Sequence, residues 1–263
     1  MNSMLDLYLI LVLFAVTPMV FGQEPTAQVG SAIVGIITPD ELLLFTDSAS
    51  STVTPVAGSN SQRGDKSITK LWRTKRLIWA QAGVQTMTID HRIFDFDEPA
   101  RLLLTTSGSF DPGNFRDAWL PEVGRPLRAA FNENKLGFTN LVNNGVKGVE
   151  IVVGWFDASE KPHFSRIRVV ISISPVGGLK LETIYTQFNP PKAGIAQFML
   201  AAHAADIGPR LTANTERYSH LKVLVSERNY ADAAKLIIDY AAKYSSEVGG
   251  PIQEATLRRA DLN

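Results

Sequence analysis

The chain has 263 residues, enough for one large domain or two small ones, and its 45% hydrophobic and 9% aromatic content is ordinary for a globular protein with a sizeable core. Lys and Arg together number 26, as do Asp and Glu, so net charge recruits neither nucleic acid nor an anionic membrane. The absence of cysteine excludes disulfides, thiol catalysis and thiolate metal sites.

Residues 5–22 are almost wholly apolar, with an uninterrupted core over residues 7–16 and a cleavable end at Val20-Phe21-Gly22. This is the pattern of a secretory signal peptide over residues 1–22, and it predicts a secreted or periplasmic protein. The competing reading is a membrane anchor, which Pro18 and the short run fit poorly, so no stable membrane anchoring is expected. Residues 23–30 form a short polar segment containing Pro25, predicted to be a propeptide ahead of one domain over residues 31–263.

Ser31 opens two apolar runs joined by Thr38-Pro39-Asp40-Glu41, the pattern of a β-hairpin. Residues 48–69 are rich in Ser, Thr and Gly and predict a loop, followed by strands over residues 70–72 and 77–82. Broken helical periodicity over residues 85–104 and 115–134, interrupted by Pro99, Pro121 and Pro126, predicts two helices with irregular ends. Strands are predicted again at 150–156, 164–174 and 179–188; in the second of these Ile167, Val169, Ile171 and Ile173 alternate with polar residues in period two. Helices are predicted at 192–206 and 230–246, the latter with Asp232, Lys235, Asp239 and Lys243 on one face and Ala234, Ile237 and Ala241 on the other. A last strand is predicted at 252–257. Strands, helices, strands and helices in groups predict an α+β fold, two antiparallel sheets flanked by helices in a four-layer αββα sandwich.

The order of elements, with Gly30-Ser31, Gly35, Asp47, Lys70-Leu71-Trp72 and Ala82-Gly83 at their spacings, resembles the proteasome β-subunit branch of the N-terminal nucleophile hydrolases over roughly residues 30–255. In that family a glycine precedes the nucleophile and another lies four positions after it. An acidic residue ends the second strand, a lysine opens the third, and a glycine after the fourth donates its backbone N–H to the oxyanion. The resemblance therefore implies self-cleavage between Gly30 and Ser31, with Ser31, Asp47, Lys70 and Gly83 as the catalytic set. No cofactor or metal is implied.

The chemistry suits those residue types. A freed Ser31 carries both a hydroxyl nucleophile and an α-amine whose ordinary pKa, about 7.7–8.0, lets it serve as the base near neutrality. A lysine cation beside it would lower that pKa and stabilise a developing alkoxide, an aspartate would orient the lysine, and the Gly83 N–H would bind the oxyanion. Lys70 is expected to supply electrostatics rather than packing. Lys66 and Lys75 compete with it for the role, because the loop after Asp47 is longer than the family's. The family nucleophile is usually Thr, and its supporting motifs appear here as Gly194-Ile195-Ala196 and Ser245-Ser246-Glu247-Val248-Gly249, so Ile195, Ser245 and Val248 mark an altered support for the nucleophile.

Other features read as structure. His91, His163, His203 and His220 lack metal-ligand spacing and fit surface or helix-face positions. Asp95, Asp97 and Glu98 before Pro99 fit a solvated helix start. Gly177-Gly178 and Gly249-Gly250 are turn glycines, and no Gly-x-Ser-x-Gly elbow supports a Ser-His-Asp hydrolase. Two functions follow. The first is an exported amidohydrolase that cleaves peptides or unfolded chains through an acyl-enzyme on Ser31. The second is a catalytically idle subunit serving as a structural or binding component of a ring. Either is expected to be a homo-oligomer.

Overall fold

The computed structural model describes residues 25–54, 62–106, 110–189 and 196–262, with backbone alone for residues 62–67. The predicted signal peptide, Gln23, Gly194, Ile195 and the side chain of Lys66 lie outside this description. Thirteen strands and six α-helices are found among the described residues.

The larger sheet has nine strands, all paired antiparallel. Its path runs through β11 (Leu179–Phe188), β10 (Pro162–Ile173), β9 (Gly148–Phe156), β7 (Leu77–Ile89), β1 (Thr26–Gly30), β4 (Ala49–Val53) and β5 (Gln62–Ser67), while β6 (Leu71–Arg73) and β8 (Arg92–Asp95) also pair with β7. The smaller sheet is ordered β12 (Gln197–Ala202), β2 (Ala32–Ile37), β3 (Glu41–Asp47) and β13 (Ile252–Arg258). Helices α1 (Glu98–Thr106), α2 (Pro112–Glu133) and α3 (Lys135–Asn143) cover the larger sheet, and α4 (His203–Ala213), α5 (Thr215–Ser226) and α6 (Tyr230–Ala241) cover the smaller.

Side-chain alternation makes this a four-layer αββα sandwich. Along β2 and β3, Ala32, Val34, Ile36, Leu43 and Phe45 pack toward the helices, while Ile33, Ile37, Leu42 and Leu44 pack into the space between the sheets. A strand buried on both faces must be apolar throughout, which is why the hairpin was legible from sequence. Strands β7 and β9 alternate likewise. Leu77, Trp79, Ile151, Val153 and Trp155 lie under the helices, whereas Ile78, Ala80 and Val152 meet the other sheet. Gly35 and Gly154 make room there: a Cβ on Gly154 would stand 2.4 Å from Phe164, and one on Gly35 would stand 2.5 Å from Met199 and 3.1 Å from Phe164.

Several elements differ from the sequence reading. The polar segment before Ser31 is the strand β1, inserted between β4 and β7. The expected loop after Asp47 contains β4 and β5, whose apolar content is limited to Ala49 and Val53 and which are set by pairing. The helix expected from residue 85 starts only at Glu98, because β7 continues to Ile89 and turns into β8. Helix α2 runs unbroken through Pro121 and Pro126, held by buried Phe115, Trp119, Val123, Leu127 and Ala130, with Asp111 capping its N-terminus by accepting from Asn114 N at 2.7 Å. Packing of that stripe outweighs the proline penalty. The stretch 197–202 is an edge strand rather than a helix, since Met199 and Ala201 fill the space between the sheets.

Candidate functional site

The chain turns a sharp corner at Gly30-Ser31, leaving the larger sheet and entering the smaller one. Both residues have positive φ, +141° for Gly30 and +124° for Ser31. Glycine tolerates this, but serine does so at a cost of about 1–3 kcal/mol. A Cβ on Gly30 would stand 2.6 Å from the Glu247 carbonyl, so the position admits no side chain as built. Ser31 is fully buried, and its Oγ has no hydrogen-bond partner among the described residues.

Asp47, at the end of β3, holds the corner from below. Its Oδ1 accepts from Ala32 N at 2.7 Å and its Oδ2 from Gly249 N at 3.0 Å, while Lys70 Nζ lies 3.6 Å from Oδ2. Lys70 also donates to the Ala49 carbonyl, and its own N–H donates to Gln253 Oε1 at 3.0 Å. Neither charged side chain is exposed. Burial pushes the Lys70 ammonium below the usual lysine range despite the opposing attraction of Asp47. Lys75 lies instead in the turn between β6 and β7, so of the two lysines whose side chains are described, Lys70 is the one that meets Asp47.

Gly83 stands across the sheet from Gly30, to which it is paired in register. Its φ is +81°, and a Cβ there would fall 2.1 Å from the Gly148 carbonyl. Only glycine fits this approach of β7 to β9. Asp47, Lys70 and Gly83 are thus arranged around the Gly30-Ser31 corner, Asp47 through Ala32 N, Lys70 through Asp47, and Gly83 through its pairing with Gly30.

Two groups that sequence reasoning left out also belong here. The corner Ala202 (φ +51°) ends β12, and His203 opens α4 beside Ser31, its N–H donating to Ser31 O at 3.2 Å. His203 Nε2 lies 2.8 Å from Glu247 Oε2, and its Nδ1 lies 3.6 Å from Asp206 Oδ2. Burial opposes charge on this imidazole, but the hydrogen bond to Glu247, with the charges of Glu247, Asp206 and Asp47, raises its pKa above the usual histidine value. His203 and Asp206, three residues apart on one helix, were the available sequence signal; Glu247 is 44 residues farther along. The helix opens at His203, and Gly194 and Ile195 of the expected helix-opening segment lie outside the described residues. Ser245 and Val248 frame the other side, Ser245 Oγ accepting from Glu247 N at 3.2 Å.

The second addition is Asp97, expected at a solvated helix start. Its Oδ1 is buried without a partner among the described residues, and burial, then the neighbouring Asp95, push its pKa up to about 7 against Lys70 and Arg101. Between the unfolded value of 3.8 and about 7 the folded protein holds a proton that the unfolded chain has released. Stability therefore falls as pH rises through this window. Melting temperatures measured from pH 4 to 8 are expected to show that fall, and Asp97→Asn to flatten it. An unchanged slope in the variant assigns the fall elsewhere.

A cavity of about 310 Å³ opens on the Gly30 side of the corner, bordered by Val29, Gly30, Gly83, Gly145, His203 and Glu247. Among the described residues no group of three or more His, Cys, Asp or Glu side chains is arranged to hold a metal ion, and no helix is long and apolar enough to cross a membrane.

No family model matches the chain, and no curated protein does. Among solved structures it is similar to the helical assembly of the Anbu complex from Pseudomonas aeruginosa, at 14% identity over 88% of this chain and 83% of that one, with a TM-score of 0.47. It is also similar to Anbu (ancestral beta-subunit) from Yersinia bercovieri, at 15% identity over 86% and 81% of the two chains, with a TM-score of 0.43. A third is an Anbu variant from Hyphomicrobium sp. strain MC1, at 16% identity over 87% and 82%, with a TM-score of 0.37. These findings correct the placement drawn from the sequence. The similar structures are Anbu proteins rather than members of the proteasome β-subunit branch, and likeness this distant assigns the chain to no branch. The α+β sandwich rests on the chain's own sheets and layers.

Proposed function

We propose that this chain is a self-processing amidohydrolase whose nucleophile is Ser31 and whose first substrate is its own residues 23–30. The observation that carries this reading is β1. It is seated between β4 and β7 and delivers the Gly30–Ser31 bond to the Asp47–Lys70 pair, with Gly83 opposite Gly30. Ser31 Oγ would attack the Gly30 carbonyl, the amide nitrogen would leave as the Ser31 amine, and water would hydrolyse the resulting ester. The φ torsion of Ser31 contains the bond that is cut, so cleavage releases the strain of its +124° conformation.

In turnover the freed amine takes the proton of Ser31 Oγ, Lys70 stabilises the negative charge that develops, and the Gly83 N–H serves the oxyanion. Departure of β1 leaves two unpaired strand edges, on β4 and β7, that an extended peptide fits by strand addition. Peptides or unfolded chains are accordingly the proposed substrates. Export on the residue 1–22 signal and self-association belong to the same proposal. Exposed Ile93 and Leu136 share a corner tied by the Arg92–Glu133 pair at 3.5 Å and the Asn134–Asp90 hydrogen bond at 3.3 Å, which favours contact with another copy.

One observation favours the idle, structural reading: Ala27 and Val29 of β1 are 1% and 3% exposed and part of the core under α1–α3. A strand so embedded could remain for good. The intact mass of protein recovered from its export compartment separates the readings. A chain beginning at Ser31 is expected, whereas one that keeps residues 23–30 favours the idle subunit.

A further inference from the structure

We propose that Glu247, clamped by His203, is the positioning residue that receives and tunes the α-amine of Ser31 once residues 23–30 are released. The inference rests on the self-processing reading above. Glu247 lies against the scissile residue, its carbonyl 2.6 Å from where a Cβ on Gly30 would stand. Its side chain turns toward the same cavity: Oε2 is engaged by His203 at 2.8 Å, and Oε1 lies 3.9 Å from a Cβ position on Gly145, another residue of the cavity wall. Val29 and Gly30 also form that wall, so their departure joins the cavity to the vacated strand position at the point where the new amine appears.

His203 fixes the geometry from the other side. Its backbone N–H is bonded to Ser31 O at 3.2 Å, which ties the start of α4 to the nucleophile. Charge already couples these groups, since Glu247 acts on Lys70 and Asp47 acts on His203. The other ionisable groups facing the pair are Asp206 on α4 and Lys147, Glu150 and Arg168 around the cavity. Glu150 is committed to Arg166 and to Ala202 N at 3.3 Å, and Arg168 lies 3.8 Å from it. Asp47 and Asp97 act on Lys70 itself, Asp206 stands behind the imidazole, and Glu247 is the cavity carboxylate that lies against Gly30, where the amine appears. An anion beside an ammonium raises its pKa, and a cation lowers it.

The test is the pH profile of kcat/KM for peptide hydrolysis, whose acid limb reports the free enzyme's base. Glu247→Gln removes the anion, so the acid limb is expected to move to lower pH by about half a unit or more, with kcat falling about tenfold and KM little changed. His203→Gln keeps a hydrogen-bond donor but removes an imidazole whose positive charge, favoured by Glu247, shields that carboxylate, so the limb is expected to move to higher pH. Glu247→Asp is expected to restore the wild-type limb in part. Circular dichroism and melting curves identify any variant that fails to fold, and a purely structural role moves no limb in opposite directions. Limbs that coincide with wild type in both Gln variants overturn the positioning role. Wild-type protein that never begins at Ser31 overturns the self-processing reading, and this inference with it, before any variant is compared.

Discussion

Ser31→Ala is expected to leave residues 23–30 attached and to abolish both peptide hydrolysis and labelling by electrophiles that trap a hydroxyl and its adjacent amine. The effect is the largest of any single substitution, because one residue supplies nucleophile and base and no other buried hydroxyl adjoins the scissile carbonyl by chain connection. The fold should survive. Losing one Oγ that has no hydrogen-bond partner among the described residues removes no native contact seen there, and alanine keeps the Asp47 bond to Ala32 N. Intact mass, labelling and a melting curve on one preparation check all three points. A variant that is still trimmed to residue 31 and hydrolyses peptides like its parent would sink the catalytic reading.

Lys70→Ala is expected to act on two levels. The sequence suggested electrostatics without packing, but Lys70 is fully buried against an equally buried Asp47. Removing it leaves an uncompensated carboxylate and a cavity, which destabilises the fold by about 3–5 kcal/mol, readable in urea denaturation. Processing and turnover should also slow by about 10² or more, the usual scale for losing a charge partner at such a site. The double variant Lys70→Met with Asp47→Asn separates the two losses. It leaves no buried charge and keeps an acceptor for Ala32 N, so part of the stability should return while activity stays low. Asp47→Asn alone should slow the reaction in the same direction, and its loss should not add to that of Lys70, since the two act as one unit. Full recovery of rate in the double variant would remove Lys70 from the mechanism.

How much of this was legible depended on whether each signal is local. The β2–β3 hairpin was, because both strands are buried on both faces and therefore apolar throughout. So was α6, whose apolar stripe over Ala234, Ile237 and Ala241 repeats with helical period and whose Lys235–Asp239 pair faces outward at 2.7 Å. The family resemblance also set Asp47 beside Lys70, and the two side chains lie 3.6 Å apart. By contrast, β4 and β5 are polar segments that become strands through pairing, and the end of β7 beyond Gly83 reads as helix until β8 and β1 are seen alongside it.

By itself, then, the amino-acid sequence determined the two-sheet α+β class and the apolar hairpin that follows Ser31 and ends at Asp47. Both follow from side-chain periodicity and the order of elements, local signals that packing here reinforces rather than overrides. Only the tertiary structure decided that residues 26–30 enter the larger sheet between β4 and β7, and that Lys70 lies dry against Asp47. It likewise decided that α4 opens only at His203, after an edge strand, and that Glu247 reaches it across 44 residues of chain. These outcomes depend on which strand edges meet and which charges lose their water together, and both are properties of the packed layers rather than of any one segment.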